Sequence, residues 1–355
     1  MNDNYVNIFK KLEYPQVERI EKLLGDASSR EYFRVFFKNR NPTVILMDFS
    51  KNEAAKSEEK SGNLLITEDP FINIATYLKK IDFSIPKIIY YDKKNKIIIL
   101  EDLGDILLEN ITIEKQTYIG YYENAIENLV ILHSKIPKNK EHFIPFNRKF
   151  NYDIFYWEFI HYLEYGLEKP GYKIKPKQRE ELLKIFQYLS TYFESLTYSV
   201  THRDYHSRNI MIKDKKIYII DFQDALMGPI HYDLASLLRD AYVKLNNNER
   251  ESLIKLYLEL FQKENNITID YEKFSKDMDL MAFQRNLKAI GRFFYISLVK
   301  NKDHLLQYIP ILYEYLDEYF KLYPEFKALE EILNDNKLLH KKLLMNPTDW
   351  RNNLG

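Results

Sequence analysis

The chain has 355 residues, enough for two compact units, each with a core of its own. Hydrophobic residues make up 45% and charged residues 29%, and 52 Lys and Arg balance 52 Asp and Glu, so the basic excess of a general nucleic-acid binder is missing. Cysteine is absent, which excludes disulfides, a thiolate nucleophile and a zinc site built on sulfur.

From the N-terminus, MNDNYVNIFKKLEY lacks the apolar core of a signal peptide, and no later stretch approaches the ~18 apolar residues that span a bilayer. These features predict a cytoplasmic protein with neither nucleic acid nor membrane as partner. Val17 to Leu24 reads as a short helix. Glu31 to Phe37 and Thr43 to Phe49 are rich in β-branched and aromatic residues and read as a hairpin, with Asn41-Pro42 as its turn. Ser50 to Gly62 is polar, without periodicity, and reads as a loop. Asp69-Pro70 opens a helix of about ten residues, with Asp as cap and Pro in the first turn. Lys87 to Tyr91 and Lys96 to Leu100 give two more strands around a turn at Asp92 to Asn95. Helices are then predicted over Glu114 to His133, Asn151 to Leu167 and Lys177 to Tyr198. Ser199 to Tyr232 is an island of short strands and loops, and the remainder is helical. Leu338 to Gly355 reads as a helix end with a Pro-containing tail. A strand-rich first part and a helix-rich second part predict a two-lobed α+β protein. The boundary falls at EDLGD (Glu101 to Asp105), giving an N-terminal lobe over 1–101 and a C-terminal lobe over 102–355.

The chemistry concentrates in Thr201 to Asp224, THRDYHSRNIMIKDKKIYIIDFQD. Phosphoryl transfer needs a carboxylate to orient and deprotonate the attacking hydroxyl, and oxygen ligands to hold magnesium across the phosphates. Asp204 and Asn209 share one loop, so a single backbone conformation places both. The strands Ile210 to Lys213 and Lys216 to Ile220 form a hairpin that returns the chain at Asp221. Asp204 is therefore the candidate base, and Asn209 and Asp221 are the candidate ligands of Mg2+, with ATP as donor. His202 is assigned a structural role, holding the loop through a backbone hydrogen bond. For His206 and Arg208, contact with substrate or phosphate and contact within the loop both stand.

The segment resembles the catalytic loop of the aminoglycoside phosphotransferase and choline kinase superfamily, His-x-Asp-x4-Asn. The likeness is closest to the bacterial anomeric kinases of N-acetylmuramic acid and N-acetylglucosamine used in cell-wall recycling. It is carried by GDASSREYFRV (Gly25 to Val35), EDLGD, HRDYHSRN (His202 to Asn209), DFQDALMGPIHYDLASLLRDAY (Asp221 to Tyr242) and QRNLKAIGRF (Gln284 to Phe293). The resemblance implies a bilobal protein-kinase-like fold, ATP, magnesium, and a sugar substrate phosphorylated on its anomeric hydroxyl. It also implies a uridylyltransferase as the next enzyme in the pathway.

The chain departs from protein kinases at the phosphates. A Gly-x-Gly-x-x-Gly loop is missing; Ser28, Ser29 and Arg30 occupy the turn expected to cover them, where hydroxyls and backbone N–H groups can cradle phosphate. Met47 stands where the phosphate-binding Lys is expected, which leaves Arg30 and Arg34 as the replacement cations; Arg34 also reads as a plain surface strand residue. Glu101 and Leu103 are assigned to adenine through main-chain atoms. Asp224 is a candidate for metal or a sugar hydroxyl, and Asp233 is a candidate cap or brace for the catalytic loop, a structural ion pair fitting it at least as well. Trp157, beside Glu158, suits the face of a sugar; helical spacing equally suits a core position, and the core reading is preferred. Two other functions fit less of the chain: a kinase for another small alcohol such as an aminoglycoside, and a nucleotide-binding pseudokinase, for which Met47 is the best argument.

Overall fold

The computed structural model describes residues 3–23, 30–38, 42–50, 68–114 and 117–345. It is an α+β protein whose chain divides into two compact units: Met1–Lys60 with Ser84–Ile106 and Met211–Ile220, and Ser61–Phe83 with Leu107–Ile210 and Asp221–Gly355.

The first unit opens with helix α1 (Asp3–Lys11) and strands β1 (Val17–Leu23), β2 (Glu31–Phe37) and β3 (Val44–Asp48). Helix α2 (Pro70–Lys80) belongs to the second unit; strands β4 (Ile88–Asp92) and β5 (Ile97–Glu101) complete an antiparallel sheet in the order β1-β2-β3-β5-β4. Side chains alternate across a strand, so Val35 and Phe37, Val44 and Leu46, and Ile97 and Ile99 share one face, which Tyr5, Ile8 and Phe9 of α1 cover. Val17 to Leu23 is thus a strand and not the helix its charged spacing suggests. It pairs along β2 from Val17–Phe37 to Leu23–Tyr32, leaves its charged side chains outward, and gains the Lys22–Glu31 ion pair at 2.6 Å and Arg19 over the Phe36 ring at 3.4 Å. Cross-strand pairing at an edge overrides a weak local helix preference.

The helical unit adds α3 (Leu108–Ile113), α4 (Ile119–Ser134) and α5 (Tyr152–Tyr162), the last running on as a π-helical turn over Leu163–Glu168. Then come α6 (Pro176–Glu194), β6 (Tyr198–Thr201), the two-stranded β7 (Ile210–Lys213) and β8 (Lys216–Ile219), which fall almost wholly in the first unit, and β9 (Leu226–Pro229), which pairs antiparallel with β6. Helices α7 (His231–Leu238), α8 (Asn247–Asn265), α9 (Tyr271–Lys300), α10 (Ile309–Leu322), α11 (Lys327–Asp335) and α12 (Lys337–Met345) follow. Asp69 caps α2 by accepting from the Phe71 N–H at 2.9 Å, the role its Asp-Pro signature predicts. The expected helix from Glu114 begins only at Ile119, because Glu114 instead closes α3 as its C-cap, its N–H bonded to the Asn110 and Thr112 carbonyls. The helix expected to reach Tyr198 stops at Glu194, because Tyr198 is taken by the β6–β9 ladder.

A core of aromatic and aliphatic side chains, Phe155, Phe159, Phe186, Phe283 and Phe294 among them, ties α5, α6 and α9 together. Helix α9 crosses α5 at Gly291, where a Cβ would lie 2.9 Å from the Tyr162 Cα and 3.2 Å from the His161 carbonyl oxygen. Only glycine permits that approach. Among the described residues no helix is long and apolar enough to cross a membrane. Gly25, Asn41, the loop from 51 to 62 and the last ten residues lie outside the described residues.

Candidate active site

In the helical unit, strand β6 delivers the chain into the loop at His202, and α7 holds that loop from behind. The buried Asp233 carboxylate of α7 accepts the backbone N–H of His202 at 2.5 Å and of Arg203 at 2.9 Å, the bracing role anticipated for it. Arg203 adopts φ of +80°, a left-handed conformation that costs a non-glycine residue about 1–3 kcal/mol and persists only when its surroundings over-determine it. They do so here: the Arg203 carbonyl also accepts from Arg285 at 2.7 Å, and Asp240, just past α7, accepts the N–H groups of Ser207 and Tyr242, each at 2.9 Å. His202 is buried, and its Nδ1 accepts from the Asp204 N–H at 3.3 Å.

This frame presents Asp204 with its side chain about half exposed. Asn209 donates through Nδ2 to the Asp204 carbonyl at 2.9 Å, which orients its amide oxygen away from that carbonyl and available to a cation. Loss of water alone raises the Asp204 pKa. The positive charges of Lys288, Arg285 and Arg203 more than reverse this and hold the carboxyl below the usual carboxylate range. Asp221 follows β8 with φ of +64° and is steadied by Gln223, whose Nε2 donates at 2.7 Å. Its neighbour Phe222 is buried against Phe71 of α2, ring centroids 4.7 Å apart, so the Asp-Phe pair anchors in the core and leaves the carboxylate at the surface. Desolvation raises the Asp221 pKa; the Gln223 hydrogen bond opposes it, and repulsion from Asp204 and Asp224 adds to it. Among the described residues no three acidic or histidine side chains group closely enough to hold a metal by themselves; carboxylate and amide oxygens are nevertheless the donor types a hard divalent cation prefers.

The remaining predicted residues fall in different settings. His206 has Nε2 3.5 Å from the Asn209 Nδ2, its Nδ1 is buried without a partner among the described residues, and its ring lies edge-on to Tyr242. Burial, with help from Arg285 and Arg208, pushes its pKa down to about 3 against the pull of Asp204, so the imidazole is neutral. Arg208 turns toward Glu109 at 3.3 Å and lies over the Tyr242 ring at 4.8 Å. Asp224 is exposed beside Gln223. Trp157 is 44% exposed and stacked on His161, which corrects the core reading: α5 buries Glu158 instead, against Lys288 at 2.9 Å and Gln284 at 2.5 Å.

In the strand-rich unit, Met47 is fully buried in the sheet and brings no charge. Ser28 and Ser29 lie outside the described residues, and Arg30 directly precedes β2. Arg34 is clasped by acids: 2.8 Å to Asp102, 2.8 Å to Asp105, and 3.0 Å to the Gly104 carbonyl. Glu101 ends β5 and pairs with Lys213 at 2.9 Å, while the Leu103 side chain is buried.

Arg285 and Lys288 were not predicted as site residues, although both lie within QRNLKAIGRF. Their spacing of three along α9 is the signal, since it puts two cations on one helix face. Arg285 comes within 3.9 Å of the Asp204 carboxylate.

The chain matches the model of the phosphotransferase enzyme family over residues 19–268. It is similar to the N-acetylmuramate/N-acetylglucosamine kinase of Pseudomonas aeruginosa, 27% identical over 90% of this chain and 89% of that protein. The kinase of the same name from Neisseria meningitidis serogroup B is 24% identical over 88% and 90%. Among solved structures, choline kinase from Streptococcus pneumoniae superposes with a TM-score of 0.59 at 15% identity, over 90% of this chain and 99% of that one. An ADP-bound aminoglycoside phosphotransferase gives 0.54 at 13% identity, over 88% and 97%. The fold is the bilobal protein-kinase-like fold of these structures. The chain belongs to the phosphotransferase enzyme family and is an ATP-dependent phosphotransferase with an alcohol group as acceptor.

Proposed function

We propose that this chain phosphorylates the anomeric hydroxyl of N-acetylmuramate, N-acetylglucosamine or both. The observation that carries this reading is the similarity to four kinases of that name, 23% to 27% identical over 85% to 90% of this chain. The proposed division of labour gives residues 1–101 to the nucleotide and 102–355 to catalysis and the acceptor. Ser28, Ser29 and Arg30 serve the phosphates, and the main chain at Glu101 and Leu103 serves adenine. Arg34 contributes by holding the Asp102–Asp105 segment, which bears the Leu103 main chain. Asp224, Trp157, His206 and Arg208 are assigned to the acceptor side.

Asp204 accepts the hydrogen bond of the attacking hydroxyl and takes its proton as the oxygen bonds to the γ-phosphorus and the bond to the leaving ADP oxygen breaks. Its low pKa keeps it ionised and ready to orient the acceptor. The anomeric hydroxyl is the most acidic on a free sugar, so a carboxylate suffices as base. Asn209 and Asp221 are the residues that would hold Mg2+, which when bound offsets negative charge on the phosphates. A cytoplasmic location and a place before a uridylyltransferase, feeding UDP-sugar synthesis in peptidoglycan recycling, complete the proposal.

Phosphorus NMR of the product tests the position of transfer. A 1-phosphate is expected from the free sugar, and none from its methyl glycoside, which is blocked at that oxygen. A 6-phosphate, or a phosphorylated glycoside, would refute the anomeric assignment.

A further inference from the structure

Beyond Asp204, helix α9 carries a row of side chains at positions 285, 288, 292 and 295, spaced three, four and three and so lying on one face. Arg285 faces Asp204 at 3.9 Å. Lys288 is the link in the row. Its charge acts on Asp204 on one side and on His161 of α5 on the other, while its Nζ bonds Glu158 at 2.9 Å and the Tyr232 hydroxyl at 2.8 Å. Arg292 is exposed and lies over the Tyr295 ring at 5.2 Å, with no carboxylate in ion-pair reach among the described residues.

Opposite this row, α5 and its π-helical extension present Trp157, His161 and Tyr165 at spacings of four. Trp157 stacks on His161 at 5.2 Å and 22°, and the rings of His161 and Tyr165 meet Tyr295 at 5.3 Å and 5.0 Å. Two features show that this shelf is built rather than incidental. The α5–α9 approach depends on Gly291, next to Arg292, and the shelf runs into a π-helical turn, a distortion common at functional sites. His161 also keeps a buried Nε2 without a partner among the described residues, and desolvation, with the charges of Arg292 and Lys288, pushes its pKa down to about 4, so the stack is neutral.

From this juxtaposition we infer that the acceptor site continues from Asp204 along α5 and α9, and that it is built for an amino sugar bearing a carboxylate. The sugar's apolar C–H face lies on the Trp157–His161 stack. Its carboxylate is received by Arg292, whose charge no carboxylate matches among the described residues, within the positive field of Lys288. Lys288 itself is already matched by Glu158, so discrimination falls to Arg292. The inference rests on the sugar-kinase reading above and deepens it: the carboxylate-bearing N-acetylmuramate becomes the preferred acceptor over the neutral N-acetylglucosamine.

The test compares kcat/KM for the two sugars at saturating magnesium-ATP in the wild-type chain, Arg292→Gln and Arg292→Lys. In Arg292→Gln the preference for N-acetylmuramate over N-acetylglucosamine is expected to fall roughly tenfold, through KM, the loss of a charge-assisted hydrogen bond. Arg292→Lys, which keeps the charge, should restore part of it. An unchanged ratio, whether both sugars weaken together or neither does, overturns the inference while leaving sugar phosphorylation standing. Binding without ATP, followed by Trp157 fluorescence with Trp157→Phe identifying the signal, separates the two claims. If neither sugar is phosphorylated but N-acetylmuramate still binds in an Arg292-dependent way, the reaction assignment falls and the carboxylate site stands.

Discussion

Asp204 illustrates how the surroundings of a single side chain set its acidity. Arg285, Lys288 and Arg203 make it a stronger acid than an ordinary aspartate, even though loss of water pulls the other way. For a depressed carboxyl pKa, the charged form is complete above the ordinary value and is lost only as pH falls through the lowered one. Asp204 should therefore contribute no acid limb to the pH–rate profile between pH 5 and 8, in the usual numbering of about 4 for a free carboxylate. Asp204→Asn removes the proposed base but retains the carbonyl that Asn209 bonds and the N–H toward His202. Turnover should fall by ~10²–10⁴-fold or more, with melting temperature and ATP affinity close to wild type. Near-normal turnover at saturating substrate would place the base elsewhere.

Strand β2 shows how an element sorts two similar residues. Arg30 and Arg34 are both basic and lie near the turn expected over the phosphates, yet Arg34 spends its guanidinium on Asp102, Asp105 and the Gly104 carbonyl, and Thr43 adds a hydrogen bond to Asp102 at 2.6 Å. Gly104, at φ of +78°, lets the segment fold back onto the arginine. Arg34→Ala should loosen 102–105 and weaken ATP and adenosine alike. Arg30→Ala should weaken ATP by about 1.5–3 kcal/mol and spare adenosine, because only the phosphates lose a partner. Equilibrium binding of the two nucleotides separates these outcomes; an Arg34→Ala chain that binds adenosine normally would return Arg34 to the phosphates. The element scale is also where local reading failed, at β1. Its charged residues fit a helix face as well as an edge strand, and only the partner strand β2 decides between them.

At the scale of the whole molecule, ligand binding reports on the proposed metal site. Magnesium-ATP should raise the melting temperature, since a ligand at a hundredfold its Kd adds about 2.7 kcal/mol. In Asp221→Ala the magnesium-dependent part of that rise should vanish, and ATP without magnesium should stabilise both proteins equally. An unchanged magnesium dependence would move the metal away from Asp221. What the sequence by itself determined is which residues are candidates: Asp204, Asn209 and Asp221 lie within one short stretch joined by a hairpin, although Asp233, Asp240 and Arg285 from elsewhere in the chain brace the loop that carries the first two. The alternating sheet and the Asp69 cap were legible for the same reason, because a period of two and a capping carboxylate act over a few residues. Only the tertiary structure decided the rest. Asp233 and Asp240 are buried to hold loop N–H groups, Met47 fills the core, Trp157 faces outward while Glu158 turns in, and Arg285, Lys288 and Arg292 line up beyond Asp204. Each of these depends on which residue distant in sequence lies opposite. A buried charge finds its partner, and a pKa its field, through contacts across dozens of residues, and one-dimensional spacing does not encode them.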